Sequence, residues 1–304
     1  MIKTFIGITD NDWFTLLSNI EKIDEVNFWQ PSGNRQFKAL NPGELFLFKL
    51  HSPNNFIVGG GFFAHSSLLP ISLAWESFGI KNGANSLLEM RRRVEKYRRQ
   101  LEKRFEDYTI GCILLEQPFF FTRDTWIPVP DDWKSNIVQG RSYDLTVTPG
   151  ISIWNQLQSN LGKSTLIHEV TARYGKPIIT IPRLGQGSFR VLVTDAYERR
   201  CAITNERTLP ALDAAHIKPF SENGPHNVNN GLLLRRDLHA LFDKGYLTIS
   251  PTLSVEVSSK IKEEFDNGRE YYRFHGNKIR LPVNCNFHPL SDYLEWHNNN
   301  IFRG

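Results

Sequence analysis

Two histidines, an asparagine and an aspartate in the C-terminal half of the chain have the types and spacing of a hydrolytic site. His239 and Asp243 are four positions apart, so on a helix their side chains lie on one face. An imidazole nitrogen and a carboxylate oxygen in that register can bind one divalent cation. His216 lies 23 positions before His239, and Asn230 lies 14 positions after His216. Because histidine has a pKa near neutrality and can deprotonate water, the set could hydrolyse a phosphodiester bond with the help of a metal ion.

A strand, a loop and a helix must position these four residues. The segment 211–217, ALDAAHI, has the length and apolar content of a short strand. The segment 218–231, KPFSENGPHNVNNG, is rich in Gly, Pro and Asn, which is typical of a loop. The segment 232–245, LLLRRDLHALFDKG, has apolar residues at helical spacing and ends at Gly245, so it predicts a helix.

The same residues match the pattern of a known family. His216, Asn230 and His239 occupy the positions of the three letters of the HNH motif. The surrounding segment 183–249 runs from RLGQGSFR through CAIT, AAHIKP and NNGLLL to HALFDKGYLTI, and it closely resembles the HNH restriction endonucleases of bacteria. The resemblance implies a ββα-metal fold, in which a β-hairpin and a helix hold one divalent ion, Mg²⁺ or Mn²⁺.

The resemblance also implies a role for each matched residue. His216 would be the general base that deprotonates the attacking water, and Asn230 would fix the loop that aims its imidazole. His239 and Asp243 would hold the metal ion against the scissile phosphate. Cleavage would leave 5′-phosphate and 3′-hydroxyl ends.

The third metal ligand departs from the family pattern. Many HNH enzymes place a metal-binding His or Asp immediately before the base, whereas this chain has Ala215 there. Residues two apart on a strand share a face, so Asp213 lies on the side of Ala215 and opposite His216. We therefore predict that Asp213 is the substitute ligand; the alternative is that it orients His239 from behind.

Other basic and imidazole side chains lie near the motif in the sequence. Arg183 and Arg190 flank two glycines in RLGQGSFR, a form suited to contact with DNA phosphates. The alternative is that these arginines brace the hairpin through carboxylates or carbonyls. His226 and His297 are assigned structural roles, although His297, beside Trp296, could approach the site.

The elements outside the motif predict two domains and a connection. Short apolar runs such as ELFLFKL and YTIGCILL, separated by turn sequences such as NPG and SPNN, predict strands in the N-terminal half. Helical spacing predicts one long helix there, over 86–107. We predict an α+β fold: a mixed α+β domain over 1–149, a helical linker over 150–180 and the motif-bearing domain over 181–304. The resemblance of the N-terminal half that is given below implies that its domain is a mixed β-barrel.

Three segments of the C-terminal half have their own expected structures. The segment 176–197, KPIITIPRLGQGSFRVLVTDAY, has strand character. The segment 271–281, YYRFHGNKIRL, predicts a hairpin with HGNK as its turn. The segment 290–298, LSDYLEWHN, predicts a short helix.

The N-terminal half carries a second resemblance. Its order of NFWQPSG, FKALNPGELFLFKL, NNFIVGGGFFA and LAWESFG is similar to the EVE branch of the PUA superfamily, relatives of domains that bind modified cytosine. This resemblance implies that a modified base is rotated out of the duplex into an aromatic pocket. Trp29 and Trp75 are the candidate walls, with Phe62 and Ser32 behind them. The alternative is that these aromatic residues belong to the core.

Composition is compatible with these expectations. The chain has 304 residues, a formal net charge of +4, and 40% hydrophobic and 22% charged residues, as in globular proteins that can bind nucleic acid. Its three cysteines lie far apart, which argues against a disulfide framework and for a reducing compartment. Without a secretory or membrane-spanning pattern, we expect a soluble cytoplasmic protein.

Together these observations predict a modification-dependent (type IV) restriction endonuclease, with double-stranded DNA carrying 5-methylcytosine or 5-hydroxymethylcytosine as its target. A homodimer would let two single-metal sites cut both strands, and no small-molecule substrate is expected. One alternative is an HNH nuclease that acts on unmodified DNA. Another is a DNA- or RNA-binding protein whose nuclease is degenerate because Ala215 lacks a ligand.

Overall fold

The computed structural model describes residues 2–98, 106–161 and 184–304. The chain divides into two compact units, Met1–Pro182 and Arg183–Gly304. No helix in the described ranges is long and apolar enough to cross a membrane.

A mixed sheet forms the body of the first unit. Its strands are β1 (Lys3–Thr9), β2 (Glu25–Gln30), β3 (Leu45–Leu50), β4 (Phe56–Pro70), β5 (Thr109–Phe120), β6 (Ile127–Pro128) and β7 (Gly140–Asp144). In the described part of the unit their order is β2-β5-β4-β3-β1-β7, and β6 pairs with the start of β4. Strands β1 and β3 are parallel, and the other pairs are antiparallel. The prediction of strands in the N-terminal half is confirmed.

Aromatic side chains pack between these strands. Every residue of β3 is buried, including Phe46 and Phe48. The ring of Phe28 on β2 lies 4.7 Å from that of Phe46, and Trp13 lies 5.1 Å from Phe48. Burial of each such side chain stabilises the fold by about 1.5–3 kcal/mol, which explains why an almost unbroken apolar run forms this strand.

The α-helices in the described residues of the first unit are α1 (Asn11–Ser18), α2 (Ile71–Phe78), α3 (Leu87–Lys96) and α4 (Gly150–Leu161). The helix predicted over 86–107 begins where expected, because Ser86 caps α3. It ends at Lys96, so the prediction is too long. Tyr97 leaves the helix, and its hydroxyl donates a hydrogen bond to Asp10 Oδ2 at 2.7 Å. The middle of the predicted range lies outside the described residues.

Helix α4 covers the start of the predicted linker. Its buried side chains Ile153 and Leu157 belong to the same apolar cluster as Ile6 and Leu47 of the sheet. Its Asn160 side chain also donates a hydrogen bond to the backbone oxygen of Thr125 at 2.7 Å. The helix therefore packs against the first unit, and the remainder of the predicted linker lies outside the described residues.

The second unit combines two small antiparallel sheets with helices. Its elements are α5 (Gln186–Ala196), β8 (Leu212–His216), β9 (Gly231–Arg235), α6 (Arg236–Asp243), β10 (Leu247–Ile249), β11 (Val255–Val257), α7 (Lys260–Phe265), α8 (Arg269–Tyr272) and α9 (Ser291–Asn300). Strand β8 pairs with β9, and β10 pairs with β11. The expected short helix near the C-terminus is confirmed as α9.

Helix α5 corrects the strand expected over 176–197. In the described part of that segment, Phe189, Val193 and Tyr197 recur every fourth position and are all buried. Residues four positions apart lie on one face of a helix, and here that face is buried. The apolar run VLV over 191–193 favoured a strand over this helical spacing.

Two other predictions are wrong in part. The segment LLLR belongs to strand β9 and not to the helix, because Leu232, Leu233 and Leu234 pair with β8 and are buried. The expected hairpin over 271–281 is absent from this described segment. Its internal backbone hydrogen bonds are those of successive turns, from Phe274 to Tyr271 and from Asn277 to Phe274. Gly276 and Asn277 bond to Val255.

Candidate active site

The β8–β9 pair and helix α6 bring the four motif residues into one region. His216 ends β8 and lies opposite Gly231 of β9. A side chain at Gly231 would collide with Val193 and Phe189 of α5, so glycine permits the close packing of the hairpin on that helix. Helix α6 follows β9 directly and presents His239 toward β8. The predicted order of strand, loop and helix is present, with strand β9 between the loop and the helix.

His239 lies between two carboxylates. Its Nδ1 is 3.4 Å from Oδ2 of Asp213 on β8, and its Nε2 is 3.3 Å from Oδ2 of Asp243, one turn further along α6. Burial lowers the pKa of His239, but the two carboxylates outweigh burial and raise that pKa to about 9. The three residues therefore form a compact cluster with alternating negative and cationic groups.

The His239–Asp243 pair fits a divalent cation. Two donor atoms that each lie about 2.1 Å from one cation, at right angles, are about 3.0 Å apart. The 3.3 Å between Nε2 of His239 and Oδ2 of Asp243 is close to that separation. Asp213 contacts the other ring nitrogen, which points away from Nε2. In the described part of the chain no three His, Cys, Asp or Glu side chains are arranged to hold a metal ion.

His216 is held in a mostly apolar setting. Its ring stacks on Phe189 with centroids 3.8 Å apart and planes 12° from parallel. Burial lowers the pKa of His216 to about 4, with further lowering by His226 and His239 and a smaller opposing effect of Asp243. The imidazole is therefore neutral at pH 7 and can accept a proton.

Asn230 closes the loop that follows His216. It is fully buried, and its Oδ1 accepts a hydrogen bond from the amide of Lys218 at 2.8 Å. Its Nδ2 donates to the backbone oxygens of Lys218 at 2.9 Å and Pro225 at 3.0 Å. The amide side chain thus binds backbone groups at the start and in the middle of the loop. These contacts are those expected of a residue that fixes the loop beside the base.

Arg190 contacts a carboxylate within the second unit. Its Nε lies 3.5 Å from Oδ1 of Asp213. Burial raises the pKa of Asp213, but His239 and Arg190 outweigh burial and hold that pKa below its usual value. This ion pair is a contact of the kind expected for the bracing role, and phosphate contact by Arg190 stays a prediction. Arg183 lies outside the described residues.

His226 is the residue that sequence reasoning missed. It was assigned a structural role, yet its Nδ1 lies 2.9 Å from Nε2 of His216. A histidine within the loop that joins the base to Asn230 was the available clue. Its partner could not be read from spacing, because the loop has no periodic structure.

His297 has the structural role that was expected of it. It is buried on α9, and its ring stacks on Phe242 at 3.8 Å. Nε2 must donate to the backbone oxygen of Phe242 at 3.1 Å, so in the neutral ring Nδ1 accepts from the Thr248 hydroxyl at 2.8 Å. Burial lowers the pKa of His297 to about 4. This histidine supports the last turn of the helix that carries His239.

Acidification is expected to destabilise the second unit through His297. Below pH 6.5 the unfolded chain binds a proton there, while the folded chain does not until about pH 4. Between pH 7 and pH 5 this difference costs about 2 kcal/mol of unfolding free energy. His297→Gln keeps a donor and an acceptor without the titration, so its loss of stability over that range should be smaller by about this amount. Urea unfolding at both pH values measures it, with exposed His275→Gln as the control; an equal loss in His297→Gln and wild type would contradict the assignment.

The candidate base-pocket residues separate into two groups. Trp29 is only 9% exposed, and its Nε1 donates to the backbone oxygen of Asn82 at 3.0 Å. Phe62 on β4 is fully buried. Both are core residues of the sheet, which was the alternative for them. Trp75 on α2 is partly exposed and Ser32 is exposed, so these two remain accessible to a ligand.

Comparison with known proteins identifies the motif-bearing segment. The HNH_2 family model, described as HNH endonuclease, matches residues 201–250. No curated protein matches the chain. Among solved structures, the modification-dependent TagI restriction endonuclease is 12% identical, with a TM-score of 0.30, over 98% of this chain and 81% of that one. ASCH from Zymomonas mobilis is 11% identical, with a TM-score of 0.27, over 40% of this chain and 74% of that one. The family match confirms the motif prediction: the second unit contains an HNH endonuclease domain, an enzyme that hydrolyses phosphodiester bonds of DNA.

Proposed function

We propose that this chain is a modification-dependent restriction endonuclease that cleaves double-stranded DNA containing 5-methylcytosine or 5-hydroxymethylcytosine. The observation that carries the nuclease assignment is a neutral His216 beside the His239–Asp243 pair within the HNH segment. Dependence on modification is supported by the resemblance of the N-terminal half to base-reading domains. A separate compact unit is available for that task.

In the proposed mechanism His216 accepts the proton of the attacking water. Its lowered pKa keeps the imidazole unprotonated at neutral pH, and the Phe189 stack fixes its plane. Asn230 holds the loop on which the orientation of His216 depends. When bound, a divalent cation would stabilise the negative charge that develops on the phosphate. The products would carry 5′-phosphate and 3′-hydroxyl ends.

We further propose that His239 Nε2 and Asp243 are the protein ligands of Mg²⁺ or Mn²⁺. Asp213 binds the opposite ring nitrogen and is itself held by Arg190, so it would orient His239 and increase its basicity. We therefore propose the orienting role for Asp213 rather than the role of third ligand. Mg²⁺ sites commonly retain several waters beside one or two carboxylates, so two protein ligands suffice.

One active site per chain cuts one strand, so a double-strand break calls for two copies. We therefore propose a homodimer that acts on DNA in the cytoplasm. Sedimentation of the protein on a short modified duplex measures the number of chains per DNA.

The decisive experiment compares duplexes that differ only in one cytosine. Unmodified, 5-methylcytosine and 5-hydroxymethylcytosine substrates are incubated with the full chain in Mg²⁺, in Mn²⁺ and in chelator at fixed ionic strength. Cleavage of modified DNA alone, and only with metal, is expected. Equal cleavage of all duplexes would support the alternative of a nuclease that acts on unmodified DNA. Absence of cleavage of every duplex, with and without metal, would support the alternative of a degenerate nuclease.

Trp75→Ala is expected to weaken binding of a modified duplex by about tenfold to a hundredfold, because stacking on an aromatic ring is worth roughly 1–3 kcal/mol per base. The measurement uses fluorescence anisotropy on the cleavage-deficient His216→Ala background. Trp75→Phe keeps a stacking surface and should retain most of the affinity. Binding of unmodified DNA should change little, since it depends on phosphate contacts. An equal loss for both duplexes would exclude Trp75 as a base-reading residue.

A further inference from the structure

His226 makes a direct contact with the general base. It lies in the loop between β8 and β9, and its Nδ1 is 2.9 Å from Nε2 of His216. The two imidazole rings have centroids 5.0 Å apart and planes inclined by 59°. At this distance the two nitrogens share one hydrogen, which one ring donates and the other accepts.

Aromatic neighbours hold both rings of the pair. Phe189 of α5 stacks on His216, and Phe220 stacks on His226 with centroids 4.6 Å apart and planes 4° from parallel. Phe189 also lies 5.9 Å from His226. Phe220 is 65% exposed, so core packing does not explain its position. Its contact with His226 indicates that the loop is shaped to keep this imidazole in place.

The shared hydrogen constrains how His216 can act. A neutral imidazole carries one hydrogen, so a ring that accepts a proton at one nitrogen must carry its hydrogen at the other. Nε2 of His216 faces His226, so a hydrogen on Nε2 leaves Nδ1 bare. The opposite tautomer would leave Nε2 bare but directed at His226 rather than at a water.

We propose that His226 is a positioning residue, which accepts the Nε2 hydrogen of His216 and so keeps Nδ1 of His216 unprotonated and aimed at the attacking water. The proposal rests on the proposed role of His216 as the base. It needs only that Nδ1 of His226 be an acceptor, with the hydrogen of His226 on its own Nε2.

The charges around the pair agree with this arrangement. The titratable groups that act on His216 are His226 from the loop and His239 and Asp243 from α6, while α5 contributes the uncharged ring of Phe189. His226 and His239 both disfavour a charged His216. A neutral donor paired with a neutral acceptor avoids that repulsion.

Two replacements of His226 separate positioning from packing. His226→Phe keeps a ring to stack on Phe220 but removes the acceptor, whereas His226→Asn supplies an amide oxygen near the position of Nδ1. We expect His226→Phe to lower kcat on modified DNA by about tenfold to a hundredfold, with KM and Mn²⁺ affinity unchanged. His226→Asn should recover most of that loss. Wild-type kcat in His226→Phe, or no recovery in His226→Asn, would overturn the proposal.

A second readout does not depend on cleavage. The ¹⁵N shifts of the His216 ring in the full, metal-free chain report which nitrogen carries the hydrogen. The Nε2-protonated tautomer is expected in wild type and in His226→Asn, and a mixture in His226→Phe. A wild-type ring protonated at Nδ1 overturns the proposal. If wild type shows the expected tautomer but cuts no DNA, the proposed function fails while the positioning contact stands.

Discussion

Replacing His216 with alanine is expected to lower the rate of DNA cleavage by about a hundredfold to ten-thousandfold, the contribution of a positioned general base. The imidazole is neutral, stacked on Phe189, and close enough to His239 and Asp243 for their charges to act on it. Because the base acts on the transition state, the loss should appear in kcat rather than in DNA or Mn²⁺ affinity.

Single-turnover cleavage of a modified duplex measures this effect of His216→Ala, with anisotropy and calorimetry for the two affinities. His275→Ala is the matched control, since it removes an exposed imidazole of the same unit whose Nδ1 accepts from the Val257 amide rather than contacting the motif residues. Its rate should equal that of wild type. Activity of His216→Ala within about tenfold of wild type would assign the base to another residue.

Loss of either proposed metal ligand is expected to have a comparably large effect, by a different route. His239→Ala removes one of the two proposed protein donors, and Asp243→Asn removes the negative charge of the other, so Mn²⁺ affinity should fall by at least about a hundredfold and cleavage should drop below detection. Asp213→Asn keeps the shape of an orienting partner without its charge. It should reduce Mn²⁺ affinity by about tenfold to a hundredfold, the usual effect of a residue that orients a ligand.

Calorimetric titration of Mn²⁺ into the three variants tests this order directly, without reference to cleavage. Asp237→Asn is a suitable control: this residue lies on α6 but pairs with Arg235. A loss in Asp213→Asn as large as in Asp243→Asn would make Asp213 a ligand. Unchanged affinity in Asp243→Asn would place the metal elsewhere.

Much of the site could be predicted from the sequence, because its most regular part is a helix. The four-residue spacing of His239 and Asp243 fixes their common face whatever surrounds them. The start of that helix was misplaced because a buried strand and a buried helix turn look alike in a short run such as LLL. The same ambiguity concealed α5, where Val191 and Val193 favoured a strand.

Contacts between distant elements could not be predicted in this way. Spacing predicts that Asp213 lies on the side of the strand away from His216. It does not predict the ion pair between Asp213 and Arg190. Nor does composition distinguish a buried Trp29 from an accessible Trp75, since both are aromatic residues near turns and only the packed sheet decides their exposure. The fold class can be predicted from local sequence patterns, whereas contacts between distant side chains depend on how the elements pack.

The hydrogen bonds of Asn230 determine where the loop between β8 and β9 can accept inserted residues. These hydrogen bonds join the two ends of the segment 219–229, so the segment forms a nearly closed ring on the surface of the hairpin. Closing a loop costs free energy that grows only slowly with length, about 0.6 kcal/mol for each doubling. The tip around Glu222 should therefore accept inserted residues while β8 and β9 keep their register. In hydrogen exchange, the Lys218 amide should stay protected, whereas the amides of the exposed residues Glu222 and Asn223, which bond only to Pro219 and Phe220 within the tip, should exchange faster.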